Sequence, residues 1–207
     1  LTGLQQLELA SNEITDVSVL GRLHRLTRLS LPRNGIRDLG PLAGLPALEA
    51  LDLAENEVES VAPLAGLSSL AVLVLSKNLV TDLAPLAGLH ALVGLEIDDN
   101  QVASLEPLRG LEGLRFVDLD GNRLTSLEPL AEAVGMQELE ASRNELDSLA
   151  GVERMVGITR IVAQENAITT TAPVRELAQL SVLDLGDNAL VSLEGVEASV
   201  SSPKNLT

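Results

Sequence analysis

Leucine and its branched relatives return along this chain at a fixed interval of 22 residues. One set reads Leu7, Leu29, Leu51, Leu73, Leu95, Val117, Leu139, Ile161 and Leu183. A second, two residues on, reads Leu9, Leu31, Leu53, Leu75, Ile97, Leu119, Ala141, Ala163 and Leu185. An apolar pair spaced by two puts both side chains on one face of an extended strand, because successive side chains alternate. A third set keeps the same phase: Ile14, Ile36, Val58, Val80, Val102, Leu124, Leu146, Ile168 and Leu190. Between the second and third sets stands one unvarying polar residue: Asn12, Asn34, Asn56, Asn78, Asn100, Asn122, Asn144, Asn166 and Asn188. Nine of the chain's ten asparagines fall on this grid. Nine repeats therefore cover residues 1–198, and a polar tail covers 199–207.

A unit this short cannot bury its apolar face alone, but stacked neighbours bury it together. The pattern predicts nine strands of one parallel sheet, each ended by a turn into the core. The Asn amide carries two donor hydrogens and an acceptor, so it can satisfy backbone groups of its own and the next repeat. These nine asparagines form a structural ladder.

The other side of each repeat has its own grid. Four residues after each Asn comes a helix N-cap type: Asp16, Asp38, Ser60, Asp82, Ser104, Ser126, Ser148, Thr170 and Ser192. Pro41, Pro63, Pro85, Pro107, Pro129 and Pro173 follow three residues later. Gly44, Gly66, Gly88 and Gly110 recur at the next turn, where positive φ is expected. This predicts one short 3₁₀ turn per repeat. Ala133, Ala141, Met155, Ala163 and Thr171 depart from the bulky apolar pattern, so looser packing is expected between residues 133 and 176. No dedicated capping unit is recognisable at either end.

A stretch such as LPALEALDLAENEVESVAPLAG, residues 45–66, resembles a leucine-rich repeat of the 22-residue type. That type occurs in bacterial internalins and in the leucine-rich regulatory subunit of a eukaryotic protein phosphatase. The resemblance covers residues 1–198. It implies an α/β leucine-rich-repeat solenoid, with a curved parallel sheet on the concave face and short 3₁₀ turns on the convex face. It also implies protein ligands, met at a bacterial cell surface or after secretion if internalin-like, or in the cytoplasm if phosphatase-subunit-like. The chain opens on Leu1 without a signal sequence, and is read as a segment of a longer protein.

Composition narrows the chemistry. Lys and Arg number 14 against 30 Asp and Glu, a formal charge of −16. Such a balance disfavours nucleic acid and anionic membranes, and favours a basic partner. With no cysteine there is no thiolate, disulfide or Cys-nucleophile chemistry. There is no Trp or Tyr and Phe116 is the only Phe, which leaves almost nothing from which to build a stacking platform for bases or sugars. No stretch reads as a membrane span, and no cofactor is indicated. His24 and His90 share a repeat phase three repeats apart, ~14 Å by strand spacing, too far to share a metal. There is no phosphate-binding Gly loop and no nucleophile–base arrangement, so the chain reads as non-enzymatic.

One stretch stands out, FVDLDGNRL at 116–124. Asp118, Asp120 and Asn122 with Gly121 look like a calcium loop. Counted from Asp118, however, the sixth position is Arg123 and the twelfth is Pro129, where an EF-hand needs Gly and Glu. The acids instead alternate with inward Val117 and Leu119, so they point out of the concave face. Repeats five to seven gather Glu96, Asp98, Asp99, Asp118, Asp120, Glu138 and Glu140 there, around Phe116, with Arg143 the only base noted nearby. Like charges on neighbouring strands oppose one another, and a lone exposed ring among them resembles an interface anchor. The leading reading is binding of a basic protein or peptide. The alternatives are acids that only keep the repeat surface soluble, a structural spacer in a larger protein and, less favoured, a cation held between Glu96, Asp98, Asp118 and Asp120. Catalysis by paired acids is not expected, because an open curved sheet should neither exclude water nor raise a pKa by burial. The triplet at Asn205 matches a glycosylation acceptor.

Overall fold

The computed structural model describes residues 1–196; the expected tail 199–207 and Asn205 lie outside the described residues. Nine three-residue strands recur in step with the leucine grid: β1 (Gln6–Glu8), β2 (Arg28–Ser30), β3 (Ala50–Asp52), β4 (Val72–Val74), β5 (Gly94–Glu96), β6 (Phe116–Asp118), β7 (Glu138–Glu140), β8 (Arg160–Val162) and β9 (Val182–Asp184). They form one open parallel sheet in sequence order. Each residue pairs with the one 22 positions on, as in Leu51 with Leu73 and Asp118 with Glu140. Sequence phase is therefore spatial row. Residues at one phase line up across the sheet, ~4.8 Å apart.

The apolar rows fill the space behind the sheet. In repeat three they are Leu45, Leu48, Leu51, Leu53, Val58, Val61 and Leu64, all essentially inaccessible. Ala133, Ala141, Met155, Ala163 and Thr171 are buried to within a few per cent, so the looser packing expected over 133–176 does not show in burial. Thr171 keeps its hydroxyl satisfied by donating to the Glu194 carbonyl at 2.7 Å.

The ladder asparagines hold the inward turn. Asn78 Nδ2 donates to the carbonyls of Leu53, Leu75 and Ser76, and its Oδ1 accepts the Val58 N–H. The same set recurs from Asn34 to Asn188, for example at Asn100. The amide thus ties its own repeat to the preceding one. The sequence reading assigned the tie to the next repeat; the turn instead places the amide against the chain already laid down. Asn12, in the first repeat, donates only to Leu9 and Ala10.

On the convex side the residues of N-cap type do not cap the 3₁₀ turns. The N-cap is the next residue, Val17, Leu39, Val61, Leu83, Leu105, Leu127 or Thr171, with no side-chain cap bond, and the expected row instead closes the tight turn that leads into it. Asp16, Asp38 and Asp82 each accept the backbone N–H two residues on, and Ser60, Ser104, Ser126, Ser148, Thr170 and Ser192 do the same through their hydroxyls. Pro follows inside the 3₁₀ turns at Gly40–Gly44, Ala62–Leu64, Ala84–Leu86, Glu106–Leu108, Glu128–Leu130 and Ala172–Val174. Repeats seven and nine carry Gly151 and Gly195 where Pro would stand, and no 3₁₀ turn forms there among the described residues. Both have φ above 100°, and a Cβ at Gly151 would lie 2.5 Å from the Leu127 carbonyl oxygen. Absence of a side chain lets the backbone settle on the previous repeat.

The expectation of positive φ at Gly44, Gly66 and Gly88 is not met; only Gly110, at 82°, has it. Ala65 and Ala87 continue in right-handed helical geometry, whereas Arg109 at φ −56° and ψ 131° sets up a type II turn that requires it. The true left-handed row lies elsewhere, at the residue before each ladder Asn: Ser11, Arg33, Glu55, Lys77, Asp99, Gly121, Arg143, Glu165 and Asp187.

Candidate functional site

Alternation on β5, β6 and β7 sends Leu95, Val117 and Leu139 inward and their neighbours out onto the concave face. Glu96, Asp118 and Glu140 are register partners, forming an unbroken carboxylate row across three strands. Gly94, Phe116, Glu138 and Arg160 form a second row beside it. Asp98 and Asp120 follow the strands at the next outward position. Glu96, Phe116, Val117, Asp118, Glu138 and Glu140 line a shallow hollow of about 380 Å³. Phe116 is 45% exposed within it.

The acids are held. Asp118 Oδ1 accepts the Asp120 N–H at 3.0 Å, and Asp120 Oδ1 accepts the Ser142 N–H at 2.6 Å. Carboxylate oxygens of Asp118, Asp120 and Glu140 all lie within 4.8 Å of one another. Such crowding has an electrostatic consequence. Burial pushes the Asp118 carboxyl up to about 7; the hydrogen bond from Asp120 pulls the other way, and Asp98, Asp120 and Glu140 push it further up. Burial comes first for Asp120 too, raising it against the Ser142 hydrogen bond. Glu96, more open to water, rises through burial and then through Asp98 and Asp52.

This corrects the expectation that an open sheet would not raise a pKa by burial. Curvature and neighbouring side chains half-bury the carboxylates although the face is open. A carboxyl ionising near neutrality suits acid–base chemistry; the hollow around it is lined by Glu96, Asp118, Glu138, Glu140, Val117 and Phe116.

The structure brings together Glu96, Asp98, Asp118, Asp120, Glu138, Glu140 and Phe116. Asp99 is different. It lies in the left-handed row, and its Oδ1 accepts from Arg143 Nη1 at 2.9 Å, two repeats away. The pair meets over Gly121, where a Cβ would stand 2.4 Å from that Asp99 oxygen. Gly121, the apparent calcium-loop glycine, makes room for an ion pair.

Arg160 was missed in the sequence. Its Nε donates to Glu140 Oε1 at 3.2 Å, so Arg143 is not the only base at the patch. The signal was available: Arg160 stands 44 residues after Phe116, in the same row. Asp52 stands in the same row two strands from Glu96, separated from it by Val74, and accepts the Ser30 hydroxyl at 3.0 Å. His24 Nδ1 lies 3.0 Å from the Gly44 carbonyl, on the convex side away from the acids.

Among the described residues no helix is long and apolar enough to cross a membrane. The Leucine Rich repeats profile, two copies, matches residues 24–66. Comparison with curated protein sequences finds no significant match. Solved structures are similar over nearly the whole chain. An internalin (inlF) of Listeria monocytogenes is 26% identical with a TM-score of 0.90, over 92% of this chain and 56% of its own. The chain thus spans little more than half the length of that relative. A leucine-rich-repeat protein of Leptospira interrogans shares the fold at 22% identity and a TM-score of 0.68, over 95% of this chain and 64% of its own. Internalin C2 of Listeria monocytogenes is 30% identical with a TM-score of 0.84, over 86% of this chain and 79% of its own. Similarity of that extent, carried by the leucine and asparagine rows described above, places the chain in the leucine-rich-repeat family, among its internalin-like members.

Proposed function

We propose that this chain is a non-catalytic protein-interaction module whose concave face binds a basic protein or peptide. One observation carries the reading: Glu96, Asp118 and Glu140 stand in register on three adjacent strands, beside a half-exposed Phe116. Like charges so placed oppose folding, and a cationic partner would relieve them. The excess of acids over bases, a net −16, supports steering of such a partner from a distance. Hydrogen bonds already engage Asp118 and Asp120, and Arg160 engages Glu140. That favours a partner contacting the free edges over a cation drawn into the cluster.

A spacer or scaffold role is the second reading. It draws on apolar surface left partly open among the described residues, at Leu4, Leu7 and Leu9 and at Leu180, Leu183 and Leu185.

The test is selection of displayed random dodecapeptides on the immobilised protein, with affinities of the enriched peptides measured by titration. Peptides rich in Lys and Arg are expected, with binding that weakens as salt rises. Asp98→Lys, Asp118→Lys and Glu140→Lys together should abolish it, and Phe116→Ala should weaken it about tenfold. Unchanged affinity and salt dependence in these variants would sink the reading; no saturable binding at all would favour the spacer.

A further inference from the structure

The row containing Phe116 has a gap in it. Ala50, Val72, Gly94 and Phe116 are successive register partners on β3 to β6. Val72 is 42% exposed and Phe116 45%. Between them Gly94 offers no side chain. Glycine inside a strand weakens it, and marks a place where another chain or ligand comes close. Here no turn explains it: the Gly94 backbone has no positive φ. Nor does crowding. A Cβ at Gly94 would meet only two Val72 methyls, at 3.8 and 3.9 Å, both ordinary contacts, and no Phe116 atom within 4 Å.

Val72 and Phe116 stand two strand spacings apart, ~10 Å. That leaves room for one aliphatic side chain lying on the Gly94 backbone with an apolar wall on each side. On the Val72 side lies a hollow of about 240 Å³ with a mixed lining, Ala50, Leu51, Val72 and Val74 nearest the slot and Glu8, Arg28, Ser30 and Asp52 beyond them. On the Phe116 side begins the acidic hollow. The carboxylate row is two residues further along each strand, ~7 Å away. An extended partner chain places the side chains of residues i and i+2 about 7 Å apart on one face.

We infer that the face reads two features together: an aliphatic side chain seated on Gly94 between Val72 and Phe116, and a Lys or Arg two residues away on the Glu96–Asp118–Glu140 row. The inference rests on the proposed binding of a basic partner, and adds to it which neighbour the basic residue must have. A second copy of this chain is the wrong occupant, since each copy is strongly acidic.

Gly94→Val is the decisive variant. It fills the slot and places a β-branched residue in a strand, so the fold should be kept or strengthened; thermal melts check this. The same dodecapeptide library is selected on wild type and on Gly94→Val. Wild type should enrich an aliphatic residue within two positions of Lys or Arg. The best such synthetic peptide should bind Gly94→Val about tenfold more weakly, the loss expected when one aliphatic side chain is no longer buried. Its analogue with Ala in place of the aliphatic residue should bind both proteins alike. Equal binding of the parent peptide to both proteins, or wild-type peptides that are basic without an aliphatic neighbour, would overturn the slot while leaving the basic-partner reading standing. Wild-type peptides with no excess of Lys or Arg would overturn that reading, and the slot with it.

Discussion

At the scale of single residues, the conflict between folding and charge is sharpest at Asp118. Its carboxyl is raised from the ordinary 3.8 to about 7, chiefly by burial. The folded state therefore holds the proton more tightly than the unfolded chain. The stability this group contributes is fully present below about pH 4 and is lost as pH rises through 7. Glu96 and Asp120 move in the same direction. Asp118→Asn keeps an oxygen for the Asp120 N–H and removes the titration. Water still reaches the group, so only ~1 kcal/mol of effect is expected, well below the full shift. At pH 8 the variant should melt ~2–4 °C above wild type, the change that energy produces in a domain of this size. The advantage should shrink steadily from pH 7 to 5; melts followed by circular dichroism show a constant offset instead if Asp118 ionises normally. The outward acids were legible in the sequence because strand alternation fixes their direction once Val117 and Leu119 are placed inward. Their burial was not, because it arises from curvature and from neighbours 22 residues away. The left-handed row was hidden for a different reason. Eight of its nine members are not glycine, so the usual marker of positive φ is present only at Gly121.

At the scale of the element, each turn is a negotiation over backbone hydrogen bonds. The ladder was legible because one residue type returns on a strict period, and because few side chains offer two donor hydrogens and an acceptor in so small a volume. Its direction was not legible, since either neighbouring repeat satisfies the same count of bonds. Repeats differ in what the ladder holds. Asn78 is 5% exposed and makes four hydrogen bonds, whereas Asn12 is exposed and makes two within its own turn. Asn78→Ala strips partners from buried groups, each worth ~1 kcal/mol or more. It should destabilise the protein by ~3 kcal/mol or more, and Asn12→Ala by less than ~1 kcal/mol. Urea denaturation of the two variants measures the contrast; equal losses would mean that the ladder does not depend on burial. The convex turns follow the same logic. The residues of N-cap type and the prolines announced the 3₁₀ turns, and Gly151 and Gly195 mark the repeats that do without one.

At the scale of the whole molecule, stability runs along one dimension. Among the described residues each strand pairs only with the one before and the one after, so β1 and β9 have a single partner each. Leu7, Leu9, Leu183 and Leu185 are only partly buried, while their counterparts in repeats three to six are closed off from water. Repeat proteins of this kind open from the ends inward, because an end repeat is held by one interface and an inner one by two. Charge is distributed along the same axis, with the acidic rows concentrated on β5 to β7. The two gradients make separable demands on amide hydrogen exchange followed by mass spectrometry. Peptides covering β1 and β9 should exchange ~100-fold faster than those covering β3 to β6, equivalent to ~3 kcal/mol of local stability. Adding salt weakens repulsion between carboxylates lying within a Debye length of one another. Between ~20 and ~500 mM NaCl, exchange should therefore slow more on β5 to β7 than on β2 to β4, whose outward positions Arg28, Ser30, Ala50, Asp52, Val72 and Val74 include a single carboxylate. An equal response along the sheet would show that the carboxylate rows are relaxed in the free protein. A slowing confined to β5 to β7 would show that the strain is stored where a basic partner would discharge it.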